Sequence, residues 1–285
     1  MKHVLVVGAT GYLGRYIVRE LHDRGYLTTL VVRDKRKLES SVLTKSKIVE
    51  GDLRDENLYR SVMDEVDVVI STIGITRQKD SLTYMDVDYG VNHLLLCEAL
   101  RAGVEKFIYV SVLHGEKLKH LKICEAKERF VEELQATVID STTIRPSGFY
   151  SDMEEYLVVA KHNRIYLLGD GEKRANPIDG SDLAKVCVNA IDVAKKEIEV
   201  GGPEVYTYNE MAGIAFRAVN KNVKISYVPL WLARAVLSLL KVFTSQKTYG
   251  PLEFFLSVVS MDMVASKYGT KLLAKHFEEK IDAKK

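Results

Sequence analysis

The sequence predicts a doubly wound α/β fold, a parallel sheet with helices on both faces, followed by a smaller C-terminal lobe. Three observations carry this. Short β-branched and leucine runs recur at 4–7, 27–32, 48–49, 66–70, 107–110 and 137–144. Helical apolar spacing fills the gaps between them at 12–24, 57–63, 82–102 and 125–134. The first run also breaks into three glycines immediately before the first helix. Strands alternating with helices indicate βαβ units, and right-handed crossovers wind such units into one parallel sheet.

Taken in order, the run at 4–7 is apolar without alternation, as expected of a strand buried on both faces. In the helix after it, Leu13, Ile17, Val18 and Leu21 form one apolar stripe. The rhythm changes after Arg145-Pro146, where Gly-containing turns appear at 169–171 and 201–203. One more helix, at 182–193, belongs with the core. The expected organisation is therefore a core over 1–150, completed by about 177–195, with 151–176 and 196–285 as the lobe on the substrate side. The segment 229–243 (PLWLARAVLSLLKVF) is the most apolar helical stretch and is too short to span a bilayer. It reads as a helix covering a cleft or a subunit interface, or as a helix lying in a membrane interface.

Composition narrows the function classes. The 285 residues are 47% hydrophobic and 28% charged, an ordinary globular mixture with material for a core. With 41 basic against 39 acidic residues, the net charge of +2 gives no field to recruit nucleic acid. Cys97, Cys124 and Cys187 are far apart and odd in number, which argues against a disulfide framework or a zinc site. The seven histidines show no metal-binding spacing, so no metal is expected. The opening MKHVLVVG is cut by glycine as a strand entering a turn would be, not as a signal peptide, and the expected location is cytoplasmic. The expected partner is a small-molecule substrate. A peripheral membrane contact and a homo-oligomer stay open.

Gly8, Gly11 and Gly14 in GATGYLG follow a strand and open a helix. In that context the first glycine turns the chain, the second lets backbone approach a pyrophosphate, and the third lets helix and strand pack closely. The pyrophosphate then meets free N–H groups at the positive end of the helix dipole. This is the Rossmann arrangement for a dinucleotide, with Thr10, Tyr12 and Leu13 as further turn contacts. The second strand runs into Arg33 where an acidic residue would favour NAD(H). A guanidinium stacks on adenine and pairs with a 2′-phosphate, so NADP(H) is expected over NAD(H). Lys37 is the first choice of helper, with Lys35 and Arg36 as alternatives and a solvated basic face as the plain reading.

GATGYLG, VVRD, GDLRD, GVEKFIYVS and IRPSGFY, in this order, resemble the NmrA-like, atypical branch of the short-chain dehydrogenase/reductases. The resemblance runs from residue 1 to about 182 and implies an NADP(H)-dependent oxidoreductase acting on a medium-sized apolar carbonyl or activated C=C substrate. It places Asp52 and Leu53 beside the adenine. Ser71, Thr72, Ile73 and Gly74 would line the ribose and pyrophosphate, and Ser111 would stand beside the nicotinamide. Pro146, Ser147 and Gly148 would pass the carboxamide. The family's usual Tyr four residues before a Lys is missing: Ile123 precedes Lys127, and Val112 follows Ser111. Three readings follow. Lys127 itself acts on the ribose and as acid or relay; or Tyr150 reaches the site; or the protein binds NADP(H) without turnover, as a redox sensor or assembly factor working through a protein partner. His114 is a further candidate acid. Cys124 reads as filler, and Asp182 as a structural hydrogen-bonding residue. Leu230, Trp231, Phe254 and Phe255 are candidate pocket residues.

Overall fold

A computed structural model describes residues 1–75, 78 and 82–283. The elements run β1 (His3–Val7), α1 (Tyr12–Asp23), β2 (Leu27–Val32), α2 (Ser40–Lys45), β3 (Lys47–Glu50), α3 (Glu56–Met63) and β4 (Val68–Ser71). A π-helical stretch, Met85–Val91, leads directly into α4 (Asn92–Ala102). Then come β5 (Lys106–Val110), α5 (Lys122–Gln135), β6 (Asp140–Pro146), α6 (Tyr150–Lys161), β7 (Ile165–Leu168), β8 (Arg174–Ala175) and α7 (Gly180–Asn189). The chain ends with β9 (Glu197–Val200), β10 (Tyr206–Thr207), α8 (Tyr208–Ala218), β11 (Ile225–Val228), α9 (Leu230–Phe243), α10 (Gln246–Val259) and α11 (Leu273–Asp282).

The sheet has seven strands in the order β3-β2-β1-β4-β5-β6-β9. The reversal of direction next to β1 is the doubly wound order the sequence predicts. Its register sets up the site. Val7 pairs with Val31 on one side and Ser71 on the other, and Ser71 pairs with Tyr109. The chain therefore leaves β1, β2, β4 and β5 along one edge, at Gly8, Arg33, Thr72 and Ser111. Ligands of open parallel sheets bind beyond these carboxyl ends.

Apolar burial holds the edge in place. Leu5, Val7, Val69, Phe107 and Tyr109 from the strands pack with Leu95, Leu96, Phe130 and Leu134 from α4 and α5. Tyr109 and Phe130 meet edge to face at 4.7 Å between ring centroids.

The chain divides into two compact units, residues 1–145 with 183–198, and residues 146–182 with 199–285. In the second unit, β7 pairs with β11 in parallel and β8 with β10 antiparallel. Thr207 caps α8 in a reciprocal box with Glu210. Asp182, read from the sequence as structural, accepts the backbone N–H groups of Thr270 and Lys271 at 3.0 and 3.2 Å.

The long helix expected within 82–102 is present, and its first part, Met85–Val91, is π-helical before α4. The seventh strand, β9, was not expected: Glu-Ile-Glu-Val alternates polar and apolar residues as an edge strand does, but over only four residues.

Candidate functional site

The glycine turn is packed so closely that it depends on the absence of side chains. Gly8 sits at φ +96°, a conformation that L side chains rarely adopt. A Cβ there would also collide with the Thr72 hydroxyl. At Gly14 a Cβ would overlap the Gly8 carbonyl and stand 2.8 Å from the Ala9 Cα. Only glycine permits this approach of α1 to the end of β1. The Gly11 N–H donates to the Gly8 carbonyl at 2.9 Å and closes the turn. Gly11 then serves as the N-cap of α1 with no side-chain cap. The N–H groups of the first helical turn are thus not claimed by a capping side chain. Leu13 is buried beneath the turn, and the Thr10 carbonyl accepts from Arg15 Nε at 3.2 Å. Tyr12 lies edge to face with Tyr16.

The structure separates the four basic residues after β2. Arg36 is held by both Asp34 carboxylate oxygens, at 2.8 and 3.1 Å. Lys35 Nζ lies 3.5 Å from Glu50. Arg33 and Lys37 are exposed, and among the described residues neither forms an ion pair. These two remain available for a phosphate.

Other predicted contacts are more committed to structure. Asp52 binds Arg54 through both oxygens, at 3.0 and 2.6 Å, and this guanidinium holds its carboxyl down at about 2. Leu53 is buried in the core, and its carbonyl accepts from the Tyr59 hydroxyl at 2.7 Å. Ser71 is fully buried and donates to Asn92 Oδ1 at 2.5 Å. The Thr72 hydroxyl lies 3.3 and 3.4 Å from the Val7 and Gly8 carbonyls and ties β4 to the glycine turn.

Lys127 emerges from α5 against this edge. Its Nζ stands 2.9 Å from Asp88 Oδ1. A Cβ at Gly74 would be 2.5 Å from the same nitrogen and 2.7 Å from the Asp88 oxygen, so the backbone at Gly74 forms a wall of this ion pair. The second Asp88 oxygen accepts the Ile75 N–H at 3.1 Å. Burial pushes the Asp88 carboxyl up and by itself opposes charge on Lys127. For Lys127, Asp88 and Tyr109 outweigh burial, and the ammonium ends above its ordinary value. A 2.9 Å contact with a further N–H on the carboxylate is ion-pair geometry, and both groups are charged. Burial pushes the Tyr109 hydroxyl up to about 12, with Lys127 pulling the other way.

Ser111 and Lys127 do not touch the same partner. Ser111 Oγ donates to Glu128 Oε1 at 3.0 Å. Glu128, buried, is gripped by Arg145 at 2.6 and 2.7 Å. Arg145 also donates to the Val112 carbonyl at 3.2 Å and to Glu197 at 2.5 Å. This cluster fixes β5, α5 and β6 together. Tyr150, in the second unit, is fully buried and donates its hydroxyl to the Lys271 carbonyl at 2.7 Å. Pro146 ends β6, and Ser147 Oγ donates to the Asn176 carbonyl at 2.6 Å. His114 adopts a left-handed conformation, φ 56°. Cys124 is buried, and burial pushes its thiol up to about 12, so it is no ready nucleophile. Trp231 and Phe255 are exposed.

Sequence reasoning missed Asp88, Asn92, Glu128 and Arg145. A signal existed for three of them. Asp88 and Asn92 stand on the same stripe as Val91, Leu95, Leu96 and Ala99, and Glu128 on that of Cys124 and Val131. Polar residues on an apolar stripe need partners.

Comparison with known proteins accords with this geometry. The model of the NAD(P)H-binding family matches residues 8–193. The photosystem II assembly factor Ycf39 of Synechocystis sp. is 29% identical over 251 residues, 86% of this chain and 76% of that protein. The divinyl chlorophyllide a 8-vinyl-reductase of Arabidopsis thaliana is 26% identical, over 85% of this chain and 64% of that protein. The NADPH-dependent quinone oxidoreductase of Escherichia coli, solved with NADPH, superposes with a TM-score of 0.78 at 17% identity. It covers 98% of this chain and 99% of its own, and at that identity the likeness is one of fold. With the glycine turn packed this closely and the family model matching through the sheet, this chain belongs to the NAD(P)H-binding family.

Proposed function

We propose that this protein is an NADP(H)-dependent reductase of the atypical short-chain type, acting on a medium-sized apolar substrate with an activated C=C bond or a conjugated carbonyl. The observation that supports it best is the Lys127 ammonium, fixed by buried Asp88 against Gly74 at the carboxyl edge of the sheet.

The chain's own residues would divide the work as follows. The first turn of α1 holds the pyrophosphate, and Arg33 and Lys37 hold the 2′-phosphate. Lys127 binds the nicotinamide ribose and places a positive charge where negative charge develops on the substrate oxygen. Bound there, a dihydronicotinamide supplies the hydride. Because the Lys127 value lies above that of an ordinary lysine, the group acts as a fixed charge rather than as a proton donor near neutral pH. The Ser111 hydroxyl already donates to Glu128, so it positions rather than protonates, and the Tyr150 hydroxyl is committed to the Lys271 carbonyl within the second unit. Such a site suits conjugate reduction, where the charge is delocalised and water delivers the final proton.

Two tests apply. The affinity for NADPH should exceed that for NADH, and Arg33→Ala should remove at least about tenfold of the difference by loss of a charge-assisted phosphate contact. Equal wild-type affinities, measured by calorimetry, would contradict the assignment. For the reaction, NADPH consumption against enones, quinones and aldehydes should fall by about 100-fold or more in Lys127→Ala. The committed hydroxyls favour a second reading: an NADP(H)-binding assembly factor without turnover, as the name of the Synechocystis relative suggests. Tight NADPH binding with no consumption above background across the panel would select that reading.

A further inference from the structure

We infer that α9 docks on an anionic lipid surface, lying in the interface with its outer apolar face inserted. In α9 none of the residues is buried, although the helix is the most apolar of the chain. At 100° per residue its side chains fall into three arcs. Leu230, Ala233, Leu237 and Leu240 are partly covered and form the inner face. An outer arc of about 140° contains Trp231, Leu232, Val236, Leu239, Val242 and Phe243. Trp231 is 70% exposed, Leu239 61%, Val242 75% and Phe243 79%. Arg234, Ser238 and Lys241 form the third arc, along one margin of the outer face; there Lys241 pairs with Glu253 of α10 at 2.5 Å, and Arg234 is exposed. A soluble surface helix shows one apolar stripe; this helix shows two.

Charge identifies the occupant. Between Glu210 and Glu253 the chain has no acidic residue and six basic ones: Arg217, Lys221, Lys224, Arg234, Lys241 and Lys247. Of the chain's 41 basic and 39 acidic residues, the rest therefore holds 35 basic against all 39 acidic ones, so the cationic excess is concentrated here. An apolar arc with an aromatic residue near each end and Arg234 on its margin, in a stretch of chain with a net excess of cations, is the pattern of an interfacial helix on anionic lipid. Arg and Lys stems can lie on the apolar surface while their charges reach the phosphates. A two-fold pairing of α9 with a second copy would instead set two acid-free segments against each other. At 14 residues the helix is about 21 Å long, shorter than a hydrocarbon core, and so it lies flat rather than crossing. No helix among the described residues is long and apolar enough to cross a membrane.

Trp231 is the chain's only tryptophan and reports directly on this face. The full-length protein is mixed with phosphatidylcholine vesicles containing 30 mol% phosphatidylglycerol, or with pure phosphatidylcholine vesicles. With the anionic vesicles at low salt, the emission should shift to the blue and the protein should co-float. Pure phosphatidylcholine should bind at least about tenfold less, given the basic excess of the segment around α9. The double variant Val242→Glu, Phe243→Glu changes only exposed side chains. It should keep its circular dichroism and melting temperature while losing vesicle binding by about tenfold or more. Unshifted emission and no co-flotation with anionic vesicles overturn the inference. Emission already blue without lipid, together with a dimer mass, overturns it in favour of a second copy. Equal binding by wild type and a folded double variant overturns the assignment to α9. None of these outcomes depends on turnover or on cofactor binding.

Discussion

Gly14→Ala is expected to lower the affinity for NADPH by at least about 100-fold. The methyl would overlap the Gly8 carbonyl and crowd the Ala9 Cα, both backbone groups that cannot rotate away. Relief requires α1 to move off the end of β1. That motion carries away the first-turn N–H groups on which a pyrophosphate would rest. A factor of 100 is about 2.7 kcal/mol, within reach of two or three charge-assisted hydrogen bonds. The same overpacking should cost about 1–3 kcal/mol of stability. Gly25→Ala is the control. Gly25 also has a positive φ, +79°, but nothing lies within 4 Å of a Cβ there. It should cost about 1–2 kcal/mol of stability from backbone strain and leave NADPH affinity unchanged. Calorimetric titration and thermal melts of both variants check the pair. If Gly14→Ala binds NADPH as wild type does, the pyrophosphate is not where α1 begins.

The second large effect is at Asp88. Asp88→Ala leaves the Lys127 ammonium buried without its partner, and removing one partner of a buried pair costs about 3–5 kcal/mol. Lys127→Met should be costly for the same reason, since Asp88 is fully buried. The double variant should cost at least about 2 kcal/mol less than the sum of the two, because no lone charge remains. The pH dependence supplies the sign. In the wild type Lys127 is raised, so its contribution is full below the ordinary lysine value and is lost as pH climbs past the folded value. In Asp88→Ala, only Tyr109, whose hydroxyl is neutral near pH 7, remains to oppose burial, and burial depresses Lys127; the unfolded chain then binds more protons than the folded one. The stability deficit of Asp88→Ala should therefore shrink as pH rises from 7 toward about 10. Denaturant melts at several pH values read this. Additive costs under about 1 kcal/mol, with no pH trend, would mean that the ammonium is solvated and not fixed in the site.

Most of the cofactor half was legible because its signals are local. The β-branched runs became β1, β2, β4 and β5, and the glycine spacing marked the turn and the start of α1. What stayed hidden depends on residues distant in sequence. The basic run alone favoured Lys37 and left Lys35 and Arg36 open. In the structure Arg36 pairs with Asp34, and Lys35 with Glu50, which β3 brings beside β2. Lys127 was found as a lone lysine, yet what fixes it is Asp88, contributed by the π-helical first part of the expected long helix. Tyr150 looked well placed by sequence. Only its fully buried hydroxyl, bound to the Lys271 carbonyl 121 residues away, shows its commitment to packing. β9 was missed because it has no buried run, and its polar–apolar alternation lasts only four residues before Gly201.

The central claim is that the N–H groups opening α1 hold a nicotinamide dinucleotide. Isothermal titration of the wild-type protein with NADPH and with NADH tests it most directly. One site per chain with micromolar or tighter affinity for NADPH, and weaker binding of NADH, is the result this structure predicts. Absence of binding heat for both dinucleotides, confirmed by no rise in melting temperature at millimolar cofactor, would contradict it.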